Sequence, residues 1–308
     1  MGIIDTLSAG FSTVAKNLWL VTVPVLLDVA LWLAPKLSVA PVVDHLIATM
    51  NSALQALGPT GTADISVYRM VETLSTTLQQ SVGRANLFTM LNWGRLGVPG
   101  VAGLRLIEPE VDRVIEITSY GQWFGVQIIL LLVGLLITCL FLGMLGQEVR
   151  GEGVHLGKLS KRLPSYWLYM LAFMVPMGLL LFSIVGSSMI LGALGFLFWG
   201  LLIWVIIYLA FVPQAITMSE AKPFRAVVGS FTVVRANFWS SLGLIILVNL
   251  INLGLSMLWV RFMGSTLGMA AVILLNAYVG TSLTAACFIF FRDRLAAYQS
   301  AVQQQRSV

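Results

Sequence analysis

The sequence predicts an all-α fold: a polytopic transmembrane helical bundle of six spans, with amphipathic interfacial helices and a helical extracytoplasmic insertion. Three observations predict it. Hydrophobic residues make up 58% of the 308 residues and charged residues 10%, and mean hydropathy is +0.91, against about 45–50% and 25% in soluble domains. Six runs are apolar over the roughly 20 residues that a hydrocarbon core about 30 Å thick demands. None alternates in and out as a barrel strand does, and a helix satisfies its own backbone in lipid. The same composition excludes an ordinary soluble enzyme, a disordered chain and a nucleic-acid binder with a broad basic face. Two cysteines exclude a disulfide scaffold.

Ile4, Leu7, Phe11, Val14 and Leu18 form an apolar stripe opposite Asp5, Ser8, Ser12 and Lys16, which predicts an interfacial helix over 1–17. The first span, 18–35, carries Asp28. Its leucines and valines contribute about −0.3 to −0.6 kcal/mol each against about +3 for an aspartate near the centre, so insertion wins. No small-residue cleavage site follows, and the segment reads as a retained signal anchor.

Residues 36–122 are the insertion. Leu46, Met50, Ala53, Leu54 and Leu57 recur at helical spacing until Gly58-Pro59; Val67, Val71, Leu74, Leu78 and Val82 form a second stripe. Two antiparallel amphipathic helices are expected, then a short apolar stretch from Leu87 to Leu96 with Trp93, before Pro99-Gly100 breaks it. So small a core is expected to dock on the spans.

The second span is 123–145. The loop 146–165 carries Glu148, Arg150, Glu152, His155 and Lys158 and reads as a solvated surface of mixed charge. Spans three and four, 166–185 and 189–212, are divided by a tight turn at Gly186, Ser187 and Ser188. An elbow, 213–237, follows. From Pro223 onward Phe224, Val227, Val228, Phe231, Val234 and Phe238 line one side of it, and Arg225, Gly229, Thr232 and Arg235 the other. Either the elbow docks a cytoplasmic partner through Arg225 and Arg235, or it is a connector lying among lipid headgroups. Spans five and six are 238–260 and 268–291, joined by a hairpin at Arg261–Leu267; 292–308 is a tail.

Eleven of the eighteen basic residues fall on one face, clustered in short loops, which places both termini in the cytoplasm and 36–122 outside a prokaryotic inner or plasma membrane. Trp19, Trp123, Trp167, Trp239 and Trp259 fall at span ends, where amphipathic rings favour the headgroup level.

The stretch Phe211 to Leu244 contains Pro213, Glu220, Ala221, Ser230, Val234, Arg235, Asn237, Phe238 and Trp239 in the order "P…EA…S…VRxNFW…LGL". It resembles a pattern of uncharacterised prokaryotic six-span membrane proteins, including the membrane-domain family found beside glycerophosphoryl diester phosphodiesterases. Lys16-Asn17 leading into a span with Pro24 is similar too. The resemblance implies the span architecture. The phosphodiesterase domain has no counterpart here, so it implies no enzymatic activity, and the insertion departs from the pattern.

An ionisable group at membrane depth is a candidate site. Asp28, with Asn252 and Asn276 of the last two spans, falls at similar depth in the outer half at 1.5 Å per residue; Asn249 and Ser256 share the face of Asn252, and Gly280 and Thr284 that of Asn276. Two readings follow: a pocket for a proton, cation or polar ligand, or interhelical hydrogen bonds that fix packing. No nucleophile–base pair, paired acids or metal motif stands out, and His45 and His155 fall on opposite sides; no catalytic residue, metal or cofactor is expected. The expected function is therefore a non-catalytic multi-pass membrane protein: a scaffold, assembly factor or subunit of a membrane complex. The competing reading is a transporter or permease component for a small solute or lipid, using the Asp28/Asn pocket. The partners expected are the lipid bilayer and other membrane subunits, not nucleic acid.

Overall fold

Helices make up nearly all of the computed structural model, which describes residues 2–56, 65–92, 97–101, 113–191 and 195–306. Helix α1 (Ile3–Lys16) stops at Asn17, whose φ of −133° and ψ of 60° leave the helical region. A 3₁₀ turn (Leu18–Val21) leads into α2 (Thr22–Leu33). Strand β1 (Lys36–Ser38), α3 (Ala40–Ala56), α4 (Ile65–Leu78), a π-helical turn (Gln79–Gly83), a 3₁₀ turn (Leu87–Leu91) and β2 (Val114–Glu116) make up the insertion. Then come α5 (Tyr120–Val149), α6 (Leu156–Leu191), α7 (Gly195–Leu209), α8 (Val212–Ser219), α9 (Pro223–Ala236), α10 (Phe238–Phe262) and α11 (Thr266–Arg306).

Among the described residues, five helical runs are long and apolar enough to cross a membrane: α5, α6, the α7–α8 run Leu197–Ser219, α10 and α11. Leu18–Leu33 reaches that standard only together with α1, from which it bends by 95°. The expected boundaries shift in several places. Span two runs on to Val149, and residues 156–165 of the expected loop are the opening turns of α6. Gly186, Ser187 and Ser188 are helical, because nothing in that triplet forbids helix, and α6 runs on to Leu191. The last hairpin shortens to 263–265, since Arg261 and Leu267 are helical. The tail to Arg306 continues α11.

By contacts the chain divides into two compact units: Met1–Leu27 with Trp93–Val101 and Leu135–Val308, and Asp28–Asn92 with Ala102–Gly134. In the first, α1 packs on α11 through Thr6, Gly10 and Val14. A Cβ on Gly10 would stand 2.5 Å from the Ser282 carbonyl oxygen and 2.8 Å from the Ala286 Cβ. Buried small residues Ala277, Thr281, Ala285 and Ala286 extend that face of α11. The expected stripe is therefore not the packing face of α1. Of its members Val14 is fully buried, but Ile4 is 79% exposed, because hydrocarbon receives a large apolar side chain as well as protein does. Residues 97–101 also belong to this unit. Gly97 lies against Thr138 and Gly280 against Pro99, with Val98 and Val101 buried; irregular backbone at such positions is tolerated where protein covers it.

In the second unit Leu37, Val39, Val42, Val43, Leu87, Ile117 and Leu130 form a core. Trp123 and Val126 of α5 pack on it, so the core closes on the opening turns of a span, as its small size demanded. Gln79 donates to Asp44 at 3.4 Å, joining the end of the second helical run to the start of α3, which sets the two antiparallel. The core-facing line of α3 is Val43, Ile47, Met50 and Leu54; Met50 and Leu54 are as expected, while Ile47 takes the place of Leu46, which is exposed. The insertion also holds two short parallel strands, paired Lys36 to Val114 and Ser38 to Glu116. Asn86 Oδ1 pins them by accepting from Leu37 N at 3.0 Å while capping the 3₁₀ turn through Phe88 N at 3.1 Å. Three residues per strand are too few to show a period of two. Leu57, Gly58-Pro59, Asp64, Trp93 to Leu96, Glu108, Glu110 and Asp112 lie outside the described residues.

Replacing Gly10 by Val is expected to cost about 1–3 kcal/mol through overpacking, read as a lowered Tm in detergent. Gly254→Ala, at a helical position with open space around it, is expected to leave Tm unchanged or raise it.

Candidate functional site

The segment that carries the family resemblance folds into a hairpin of three helices, and its residues hold that hairpin together. Helix α7 ends at Leu209 and α8 begins at Val212, so the main chain between them must find partners elsewhere. Buried Ser230 of α9 supplies both: its hydroxyl donates to Tyr208 O at 2.7 Å and accepts from Phe211 N at 3.2 Å. Pro213 occupies the first turn of α8, where a missing N–H costs nothing. Asn237 makes the corner into α10, with its N–H on Val233 O at 3.1 Å and its side-chain amide on the same carbonyl at 3.3 Å. Phe238 stacks on Trp204 at 5.4 Å. The elbow is thus two helices. Every residue of α8 from Val212 to Met218 is buried, so this first part is covered by protein.

A buried helix end needs its last carbonyls satisfied, and α8 borrows a guanidinium for this. Arg150, just past the end of α5, donates through Nη1 to Thr217 O at 3.2 Å and Met218 O at 2.5 Å. Gly146, one turn earlier, lets α8 come this close; a Cβ there would sit 3.1 Å from Thr217 O. Arg150 Nε also pairs with Glu152 at 2.9 Å, and Arg162 pairs with Glu220 at 2.7 Å. Glu220 ends α8 in the left-handed region, φ 52°. Around this core Gln147 Oε1 accepts from His155 N at 3.0 Å, Asn17 Nδ2 donates to Glu148 at 2.8 Å, and Arg292 Nη1 donates to Val149 O at 2.7 Å. Tyr166 is buried beside Arg150, Arg162 and Glu220. The solvated loop expected at 146–165 is in its first half a buried brace joining the ends of α1, α5, α6, α8 and α11. Two guanidiniums face two carboxylates there, so the brace is close to neutral and its chemistry is that of a lock. Sequence reading missed it because its partners lie up to 143 residues apart; the available signal was Gln147 and Arg150 on one helical face at a span end.

The predicted site residues fall in two different units. Asp28, 2% exposed, belongs to the second unit and is the one acidic side chain buried among the described residues. The asparagines belong to the first. Asn276 Oδ1 accepts from Trp259 Nε1 at 3.2 Å, which turns that tryptophan inward from the expected headgroup belt. Asn249 donates to Ile245 O of its own helix at 2.8 Å and is exposed, as is Asn252. Asn249 and Asn252 thus lie on the exposed side of α10 while Asn276 meets its buried side, and the three share no pocket.

Arg225 and Arg235 are exposed on α9, as expected, but the faces between them are redistributed. The buried face is Ala226, Ser230, Val233 and Val234; Phe224, at 79% exposure, Val228 and Phe231 point outward. His45 Nδ1 lies 3.1 Å from the Tyr120 hydroxyl, and His155 Nδ1 lies 3.1 Å from Gly153 O. Cys139 and Cys287 are free thiols on spans, Cys139 fully buried.

Compared with family models, with characterised proteins and with solved structures, the chain matches none.

Arg150→Met leaves two carbonyls of α8 without their donor and Glu152 with only Arg162, 4.0 Å away, and is expected to cost about 1.5–3 kcal/mol. Arg150→Lys is expected to recover less than half of this, since one ammonium cannot reproduce the fork. Thermal unfolding of the purified protein in detergent measures both.

Proposed function

We propose that this chain is a non-catalytic multi-pass membrane protein that works as a scaffold, assembly factor or subunit of a membrane complex. The observation that carries this reading is how little of two spans the chain covers by itself. The span windows of α5 and α11 are 56% and 61% buried, but those of α6 and α10 only 17% and 11%. Two whole helices offer their flanks to the bilayer or to neighbours within it. The motif shared with the prokaryotic membrane-domain family supports the same reading, since Pro213, Glu220, Ser230, Asn237 and Phe238 are spent on folding. The transport reading leans on Asp28 with the asparagines, of which Asn276 is bonded to Trp259 while Asn249 and Asn252 are exposed on α10.

Both termini lie in the cytoplasm in this proposal and the insertion lies outside. The brace and α9 then lie on the side of the inner leaflet. Phe224, Val228 and Phe231 enter the acyl boundary, with Arg225 and Arg235 at the phosphates, an arrangement suited to an interfacial helix.

Purification in mild detergent is expected to yield the chain with a second polypeptide in fixed ratio; a lone, unaccompanied monomer overturns the proposal. For orientation, Gln299→Cys and Thr76→Cys are introduced after Cys139 and Cys287 are replaced by Ala. A membrane-impermeant maleimide is expected to label Thr76→Cys on intact cells, and Gln299→Cys only once the membrane is opened. The reverse pattern overturns the topology.

A further inference from the structure

We infer that two copies of this chain associate within the bilayer through α10, along the line Leu242, Ile246, Asn249, Leu253, Ser256 and Val260. This rests on the reading of the chain as a membrane subunit and names the neighbour. The six positions are spaced 4, 3, 4, 3 and 4, the mean of about 3.5 that keeps one seam facing a partner in a left-handed crossing. None is fully buried; Ile246, Leu253 and Val260 are among the exposed large hydrophobic residues.

Asn249 identifies what covers the seam. It stands near the midpoint of the helix Phe238–Phe262, about 17–20 Å from either end at 1.5 Å per residue. That is the depth at which an unpaired polar group is most costly. Its Nδ2 gives one hydrogen to Ile245 O. The carbonyl oxygen and the second amide hydrogen have no partner among the described residues, and lipid tails offer none. An amide is both donor and acceptor, so its simplest complement is another copy of itself. Chains inserted with one topology present α10 in parallel. A twofold axis along the membrane normal then sets Asn249 opposite Asn249, with each copy giving and receiving. Ser256, two turns on, is small enough for the helices to close there. Helix α6 is the contrasting case. It is nearly as uncovered, but its exposed side is Leu168, Val175, Leu179 and Phe182, which lipid satisfies without a partner.

The test uses the full-length chain in liposomes at low protein-to-lipid ratio, with Cys139 and Cys287 replaced by Ala. Leu253→Cys is expected to form an intermolecular disulfide under mild oxidation. Leu275→Cys, equally exposed but on α11, is expected to stay monomeric. Adding Asn249→Leu to Leu253→Cys is expected to weaken association about five- to thirty-fold, the range polar contacts between transmembrane helices give. Asn249→Gln is expected to retain association. Equal crosslinking at 253 and 275, or association untouched by Asn249→Leu, overturns the seam. If Leu253→Cys links instead to a different polypeptide in native membranes, the self-association falls and the subunit reading stands. If the folded chain is monomeric and unaccompanied, both fall.

Discussion

Close approach of helices through small side chains is the interaction on which the larger unit depends. In water a helix buries its large apolar residues because the alternative is hydration. In hydrocarbon that preference vanishes, and what remains to choose a packing face is van der Waals fit and hydrogen bonding. The chain obeys this at each tight crossing. Gly10 admits the Ser282 carbonyl and Ala286, Gly143 admits Leu159 and Tyr166, and Gly146 admits Thr217. Ser230 is both small and a hydrogen-bond bridge. Meanwhile Ile4, Phe224 and Leu179 look outward.

This is also why the sequence was legible to different depths. The apolar runs and their helical nature follow from length and composition, and they are present with ends shifted by a few residues. The elbow helix begins at Pro223 as its first-turn proline implies. Faces were another matter. The stripes on α1 and α9 marked a side for the membrane surface and left the protein-facing side unnamed; the structure buries Thr6–Gly10–Val14 and Ala226–Ser230–Val233–Val234, of which only Val14 and Val234 belong to the stripes. The asparagines were grouped by depth and by spacing along each helix, neither of which says which way a face is turned; Asn252 and Asn276 share a level and face different surroundings.

The polar brace was hidden for another reason. Each of its bonds joins residues distant in sequence, and each residue taken singly reads as an ordinary charge near a membrane surface. Arg150 is conspicuous only once α8 is known to end, buried, beside it. The smaller unit shows the opposite case. Its core gathers Val39, Val42, Val43 and Ile117 with Leu37 and Leu87, and on α3 the ordinary rule of helical spacing served to within one residue.

The pairing of α1 with α11 has a bearing on biogenesis. The docking surface for Gly10 is made of Ser282 and Ala286, which leave the ribosome after almost everything else described here. Helix α1 must therefore wait, unpaired, while the segments between it and α11 are made, and the two lock together once α11 arrives. Translation that stalls before residue 282 would leave that first helix without its seat, and quality-control proteases would meet it as an unclasped amino-terminal arm.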